Sequence, residues 1–106
     1  MPRRFVREYI LGISIRIENQ NHDEVERVVD DVEGSFARIC QSAPETSMRR
    51  GILPWLDTML NPYQLGVLVR ELESLPGDQT TAAVSRVIDA AERAIRLRGY
   101  LYFIGD

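Results

Sequence analysis

The sequence predicts an α+β domain, a small sheet packed with three helices. Three stretches lead there. Residues 9 to 18, YILGISIRIE, alternate apolar and polar side chains over a β-branched run, the period of a half-buried strand. Residues 61 to 64, NPYQ, carry a helix start: Asn61 as N-cap, Pro62 at the first helical position and Gln64 where it can bond back to the cap. Residues 100 to 104, YLYFI, follow Gly99 as five consecutive apolar or aromatic residues. A chain of 106 residues that is 44% hydrophobic suits one domain, residues 1 to 106, with a core of modest size.

The elements follow in order. Tyr9, Leu11, Ile13, Ile15 and Ile17 share one face of the first strand, with Ser14, Arg16 and Glu18 on the other. A polar turn spans Asn19 to His22. Asp23 then reads as an N-cap with Glu26 three residues on, and Val25, Val28, Val29, Val32, Phe36, Ile39 and Cys40 recur at helical spacing, which predicts a helix over about 23–41, weakened at Gly34. Residues 42 to 51 are a loop. Pro54 makes the segment GILPWL an edge strand or a tight turn that carries Trp55 into the core. The second helix runs over about 62–75, with Leu65, Leu68, Val69 and Leu72 on one face, and ends at Pro76 and Gly77. Thr80 or Thr81 caps a third helix over about 80–98, whose buried stripe is Val84, Val87, Ile88, Ala91 and Ile95. Asp89 to Arg93 and Glu92 to Arg96 are favourable i, i+4 pairs on its outer face.

Gly99 stops that helix, and the terminal strand returns the chain to the core. Apolar residues on both of its faces predict an interior strand packed on both sides, paired with the first strand or lying beside residues 52 to 56.

Charge is informative by its distribution. All 13 basic residues are arginine, so every cation is a planar fork suited to carboxylates or phosphates. The net charge of −3 argues against a nucleic-acid binder. Asp23, Glu24, Glu26, Asp30, Asp31 and Glu33 crowd into eleven residues against Arg27 alone. Helix-end electrostatics account for the first three acids and not for the last three. The six carboxylates together read either as a solvated face or as the candidate partner-binding residues, a surface that steers a basic partner. Arg3, Arg4, Arg7, Arg49 and Arg50 form no patch with interleaved aromatics, and read as solvated or internally paired side chains.

No catalytic set emerges. His22 is the only histidine and Cys40 the only cysteine. Neither has a neighbour at ligand or nucleophile–base spacing, so no metal, cofactor or catalytic residue is expected. No apolar run reaches the roughly 20 residues of a membrane span. The start, MPRRFVREYILG, is interrupted by Arg7 and Glu8 and lacks a small-residue cleavage site, so it reads as mature protein. The single cysteine gives no support to an oxidising compartment, and a cytoplasmic setting is the default expectation.

LPWL at 53 to 56, Asp57, NPYQL at 61 to 65 and the terminal YLYFIGD resemble an LPxL…NxxQ…FIGD pattern of small bacterial proteins. Some of these look like immunity proteins of contact-dependent growth-inhibition or polymorphic toxin systems. The resemblance covers roughly residues 52 to 75 and 99 to 106. It implies a stoichiometric antitoxin that occludes a cognate toxin domain and needs no catalytic group. The acidic segment, which lies outside the pattern, suits a basic toxin such as a nuclease. The alternative is a protein-binding or regulatory module that homodimerises through an exposed strand edge.

Overall fold

The computed structural model describes residues 13 to 105. Four strands, β1 (Ser14–Glu18), β2 (Glu24–Val29), β3 (Thr58–Leu60) and β4 (Tyr100–Ile104), form one antiparallel sheet in the order β2-β1-β4-β3. Among the described residues three helices, α1 (Ser35–Gln41), α2 (Pro62–Glu73) and α3 (Ala82–Arg96), pack with it. The α+β class and the pairing of the terminal strand with the first are as the sequence predicts. Residues 9 to 12 of the expected first strand lie outside the described residues, as do Arg3, Arg4 and Arg7.

The largest departure is the expected helix over 23–41. Its first part is β2, and only Ser35–Gln41 is helical. Val25, Val28, Val29 and Val32 fit a 3.6-residue stripe, but β-branched side chains lose χ1 freedom in helices and fit a pleated surface. The interior of the sheet decides the matter: β1 has a second open edge, and Val28 pairs against Ile15 across it. Val25, Val29 and Val32 are exposed rather than buried.

Asp23 caps no helix and instead closes the β1–β2 turn. Its N–H donates to the Asn19 side-chain oxygen at 3.0 Å, and its carbonyl accepts from the Asn19 N–H at 3.0 Å. The capping acids of α1 are Asp30 and Asp31. Gly34, in the left-handed region at φ 68°, stands at the start of the helix rather than in its middle.

Both remaining helix starts form as expected. Asn61 Oδ1 accepts from the Gln64 N–H and the Asn61 N–H donates to Gln64 Oε1, both at 2.9 Å. Thr81 Oγ1 accepts from the Val84 N–H at 3.2 Å. Neither expected i, i+4 pair of α3 forms; Arg93 reaches to Glu26 of β2 instead.

α3 ends in a pair of bonds that turn the chain sharply. The Arg98 N–H donates to the Ile95 carbonyl at 3.0 Å and the Gly99 N–H to the Ala94 carbonyl at 2.9 Å, the Schellman arrangement. The left-handed residue is Arg98, at φ 56°, and not the glycine. Gly99 is needed for another reason: a Cβ there would lie 1.8 Å from the Glu18 carbonyl oxygen.

The core lies between the helices and one face of the sheet. Ile15, Ile17, Leu101 and Phe103 of that face join Phe36, Leu65, Leu68, Val84 and Val87 of the helices. Phe36 stacks on Phe103 with ring centroids 5.9 Å apart. β4 is an interior strand, as predicted, but it is not fully packed on both sides. Leu101 and Phe103 are buried, while Tyr100, Tyr102 and Ile104 on the other face are half-buried. Trp55 is 58% exposed rather than in the core. Ile52 fills that place, and the backbone of Pro54 and Leu56 presses on Gly105, where a Cβ would lie 2.6 Å from either.

Candidate protein-interaction surface

No helix among the described residues covers the second face of the sheet, which strand register assembles row by row. Arg27, Arg16, Tyr102 and Met59 stand opposite one another across all four strands. The Arg16 guanidinium lies over the Tyr102 ring, 4.8 Å from its centroid, the geometry of a cation–π contact. The Tyr102 hydroxyl reaches Asp57 Oδ2 at 3.5 Å, and Asp57 Oδ1 accepts from the Gly105 N–H at 3.2 Å. The neighbouring row holds Glu24, Glu18 and Tyr100.

Glu18 is only 4% exposed, and its carboxylate is shared between two cations or donors. Arg16 Nε donates to Oε2 at 3.0 Å, and His22 Nδ1 lies 2.9 Å from Oε1. The His22 ring stacks on Tyr100 with centroids 4.3 Å apart. His22 itself is held at φ 68° by the turn, where the Asn19 carbonyl accepts its N–H. This cluster clamps the β1–β2 hairpin to β4. Its groups satisfy one another, and it offers no nucleophile beside the imidazole. Cys40 is buried in the core, where desolvation pushes its thiol well above the ordinary value, so it acts as a small hydrophobe.

Met59 of this face is exposed, as are Trp55 and Leu56 in the turn before β3 and Tyr63 at the start of α2. Trp, Tyr and Arg are the residue types that dominate protein–protein hot spots: Trp and Tyr remove much area from water for few rotatable bonds, and Arg adds a planar hydrogen-bonding fork. Sequence reasoning missed this face. The signal was present in the alternation of β4, which sets Tyr100, Tyr102 and Ile104 on one side; reading that side as buried concealed it.

The six predicted binding acids differ in how far the fold engages them. Asp23 sits exposed in the turn, 3.4 Å from Asn19 Nδ2. Glu24 makes a two-point pair with Arg27, at 3.2 and 2.8 Å, and Arg27 first, then Arg16, holds its carboxyl below the ordinary value. Glu26 is bonded to Arg93. Asp30 is 7% exposed and accepts from three backbone N–H groups: Asp31 at 2.8 Å, and Phe36 and Ala37 at 3.0 Å. Burial pushes its carboxyl up against the opposing pull of those bonds. Asp31 accepts the Ser35 hydroxyl at 2.6 Å and the Ser35 N–H at 2.8 Å, which hold it low. Glu33 is exposed, and its carbonyl accepts from Arg38. Four of the six thus bond within the fold, leaving Asp23 and Glu33 as the freer carboxylates. Arg49 and Arg50 are likewise occupied, by Glu71 and Ile39 and by the Ala43 carbonyl.

Among the described residues no three His, Cys, Asp or Glu side chains gather to hold a metal ion, and no helix is long and apolar enough to cross a membrane. Comparison with protein-family models, with curated proteins and with solved structures gives no match to this chain.

Proposed function

We propose that this chain is a non-catalytic protein-binding module, and that it acts as an immunity protein that neutralises a cognate toxin domain by stoichiometric occlusion. The observation that supports binding is the second sheet face, covered by no helix among the described residues, where Arg16 stacks on Tyr102 and Met59 is exposed, with Trp55 and Leu56 exposed in the turn before β3. The contacts Arg16–Glu18 and Tyr102–Asp57 pre-order these side chains, which lowers the entropy lost on docking. The neutralising role follows the resemblance of residues 52 to 75 and 99 to 106. A basic, nuclease-like toxin draws its support from Asp23 and Glu33, since the other four acids are engaged.

The test is co-expression with the toxin domain encoded beside the gene. The chain should restore growth and form a one-to-one complex by light scattering. A Tyr102→Ala, Trp55→Ala variant should stay folded and lose both. Toxicity that persists with the intact chain in excess would overturn the immunity role.

A further inference from the structure

Among the described residues β2 is an outer strand of the sheet, and its register shows which backbone groups face outward. The Asp30 N–H donates to the Ile13 carbonyl at 2.9 Å, so the hydrogen-bonded pairs with β1 include Ile15–Val28 and Ile17–Glu26. The N–H and C=O of Arg27 and Val29 therefore point away from the sheet. Arg86 of α3 donates to the Val29 carbonyl at 3.4 Å, in the place a neighbouring strand would occupy. The opposite edge, β3, has only three residues, whereas β2 has six, most of them exposed.

α3 runs beside this edge. Arg86 meets Val29 and Arg93 meets Glu26, so seven helical residues, about 10 Å, match three strand residues, also about 10 Å. Between them lies a groove of about 310 Å³ lined by Ile17, Val28, Ala90, Arg86, Arg93 and Arg96. The internal pairs Glu24–Arg27 and Glu26–Arg93 cancel. Arg86 then bonds only a neutral carbonyl, and Arg96 has no carboxylate partner among the described residues. Asp89 is the one acid left on the groove wall.

We propose that the β2 edge accepts an extended acidic segment of a partner protein as an added strand, with its carboxylates over Arg86 and Arg96. The strand supplies the backbone bonds that Arg27 and Val29 leave open, and displaces Arg86 from the Val29 carbonyl. Arg86 and Arg96 are ten helical residues apart, about 15 Å, which matches carboxylates about four residues apart on one face of a strand. The inference rests on the protein-binding reading, but it uses neither the open sheet face nor the identity of a toxin.

The probe is a short capped peptide of Thr and Val with two Glu about four residues apart, compared with its Lys counterpart. In an amide nuclear-magnetic-resonance titration, the Glu peptide should shift Arg27, Val28 and Val29, and bind more weakly as salt rises. The Lys peptide should not bind. Arg86→Gln with Arg96→Gln should weaken the Glu peptide at least tenfold. Arg27→Pro removes an outward N–H and no bond to β1, so it should abolish binding while circular dichroism remains native. The proposal is overturned if the Glu peptide leaves the β2 amides unmoved or if the Lys peptide binds as well. It is equally overturned if the glutamine pair binds undiminished, or if β2 is already covered by a second copy of the chain. Toxin neutralisation through the open face would survive any of these results.

Discussion

The backbone of Gly99 lies directly against the carbonyl of Glu18, so closely that a Cβ at residue 99 would stand 1.8 Å from that oxygen and 2.8 Å from Asn19 Cα. The contact joins the end of α3, the start of β4 and the β1–β2 turn at one point. Both neighbours are backbone, which cannot swing aside as a side chain would. Gly99→Ala should therefore cost more than about 3 kcal/mol, or prevent folding, as seen in urea unfolding. Arg98→Gly should do the opposite. It relieves a non-glycine residue in the left-handed region and should stabilise by about 0.5–1 kcal/mol. A stable, native-like Gly99→Ala protein would refute the close approach.

Phe103 ties the last strand to the core through Phe36. Phe103→Ala should destabilise by about 3–5 kcal/mol. Deleting residues 100 to 106 removes the strand that joins β1 to β3, and should leave no cooperative thermal transition. A truncated chain that still melts sharply would show that β4 is dispensable.

Asp30 and Asp31 are adjacent and should titrate with opposite effects on stability. Asp31 is held low by Ser35, so its contribution is present above the ordinary carboxylate value, about 3.9, and is lost as pH falls through the folded value. Asp30 is pushed up by burial, so its contribution is full below the ordinary value and is lost as pH rises through the folded value. Asp31→Asn should flatten the acid limb of a stability–pH profile, and Asp30→Asn should steepen it. Urea midpoints between about pH 2 and pH 7 would read this; identical limbs for both variants would contradict the assignment.

Asp30→Ala is a separate case, because it orphans the N–H groups of Asp31, Phe36 and Ala37 where α1 begins. It should cost about 2 kcal/mol or more. Glu33→Gln, with an exposed side chain, should be neutral within about 0.5 kcal/mol. Equal stabilities in a denaturant titration would show that Asp30 does not cap α1.

Tyr102→Ala and Trp55→Ala should lower affinity for a bound partner by about 2 kcal/mol or more while changing stability much less. Competition binding with a labelled complex would measure it. Comparable losses in stability and affinity would assign these residues to the fold alone.

Local chemistry alone determined much of this protein. The box of Asn61 and Gln64, the cap at Thr81 and the alternation of β1 and β4 depend on residues a few positions apart, and the sequence displays them in full. Residues 23 to 41 read as a helix for a physical reason: their valines recur at helical spacing, although β-branched side chains suit a strand. Only an open edge of β1 some ten residues earlier made the strand the better choice. That same pairing turned six neighbouring acids into two capping groups, two ion-paired ones and two exposed ones. Trp55 likewise read as a core residue until Ile52 and the backbone at Gly105 took the space. Where a side chain's fate rests on a distant neighbour, its own segment carries no mark of it, and for that reason the open face and the β2 edge became visible only in the assembled sheet.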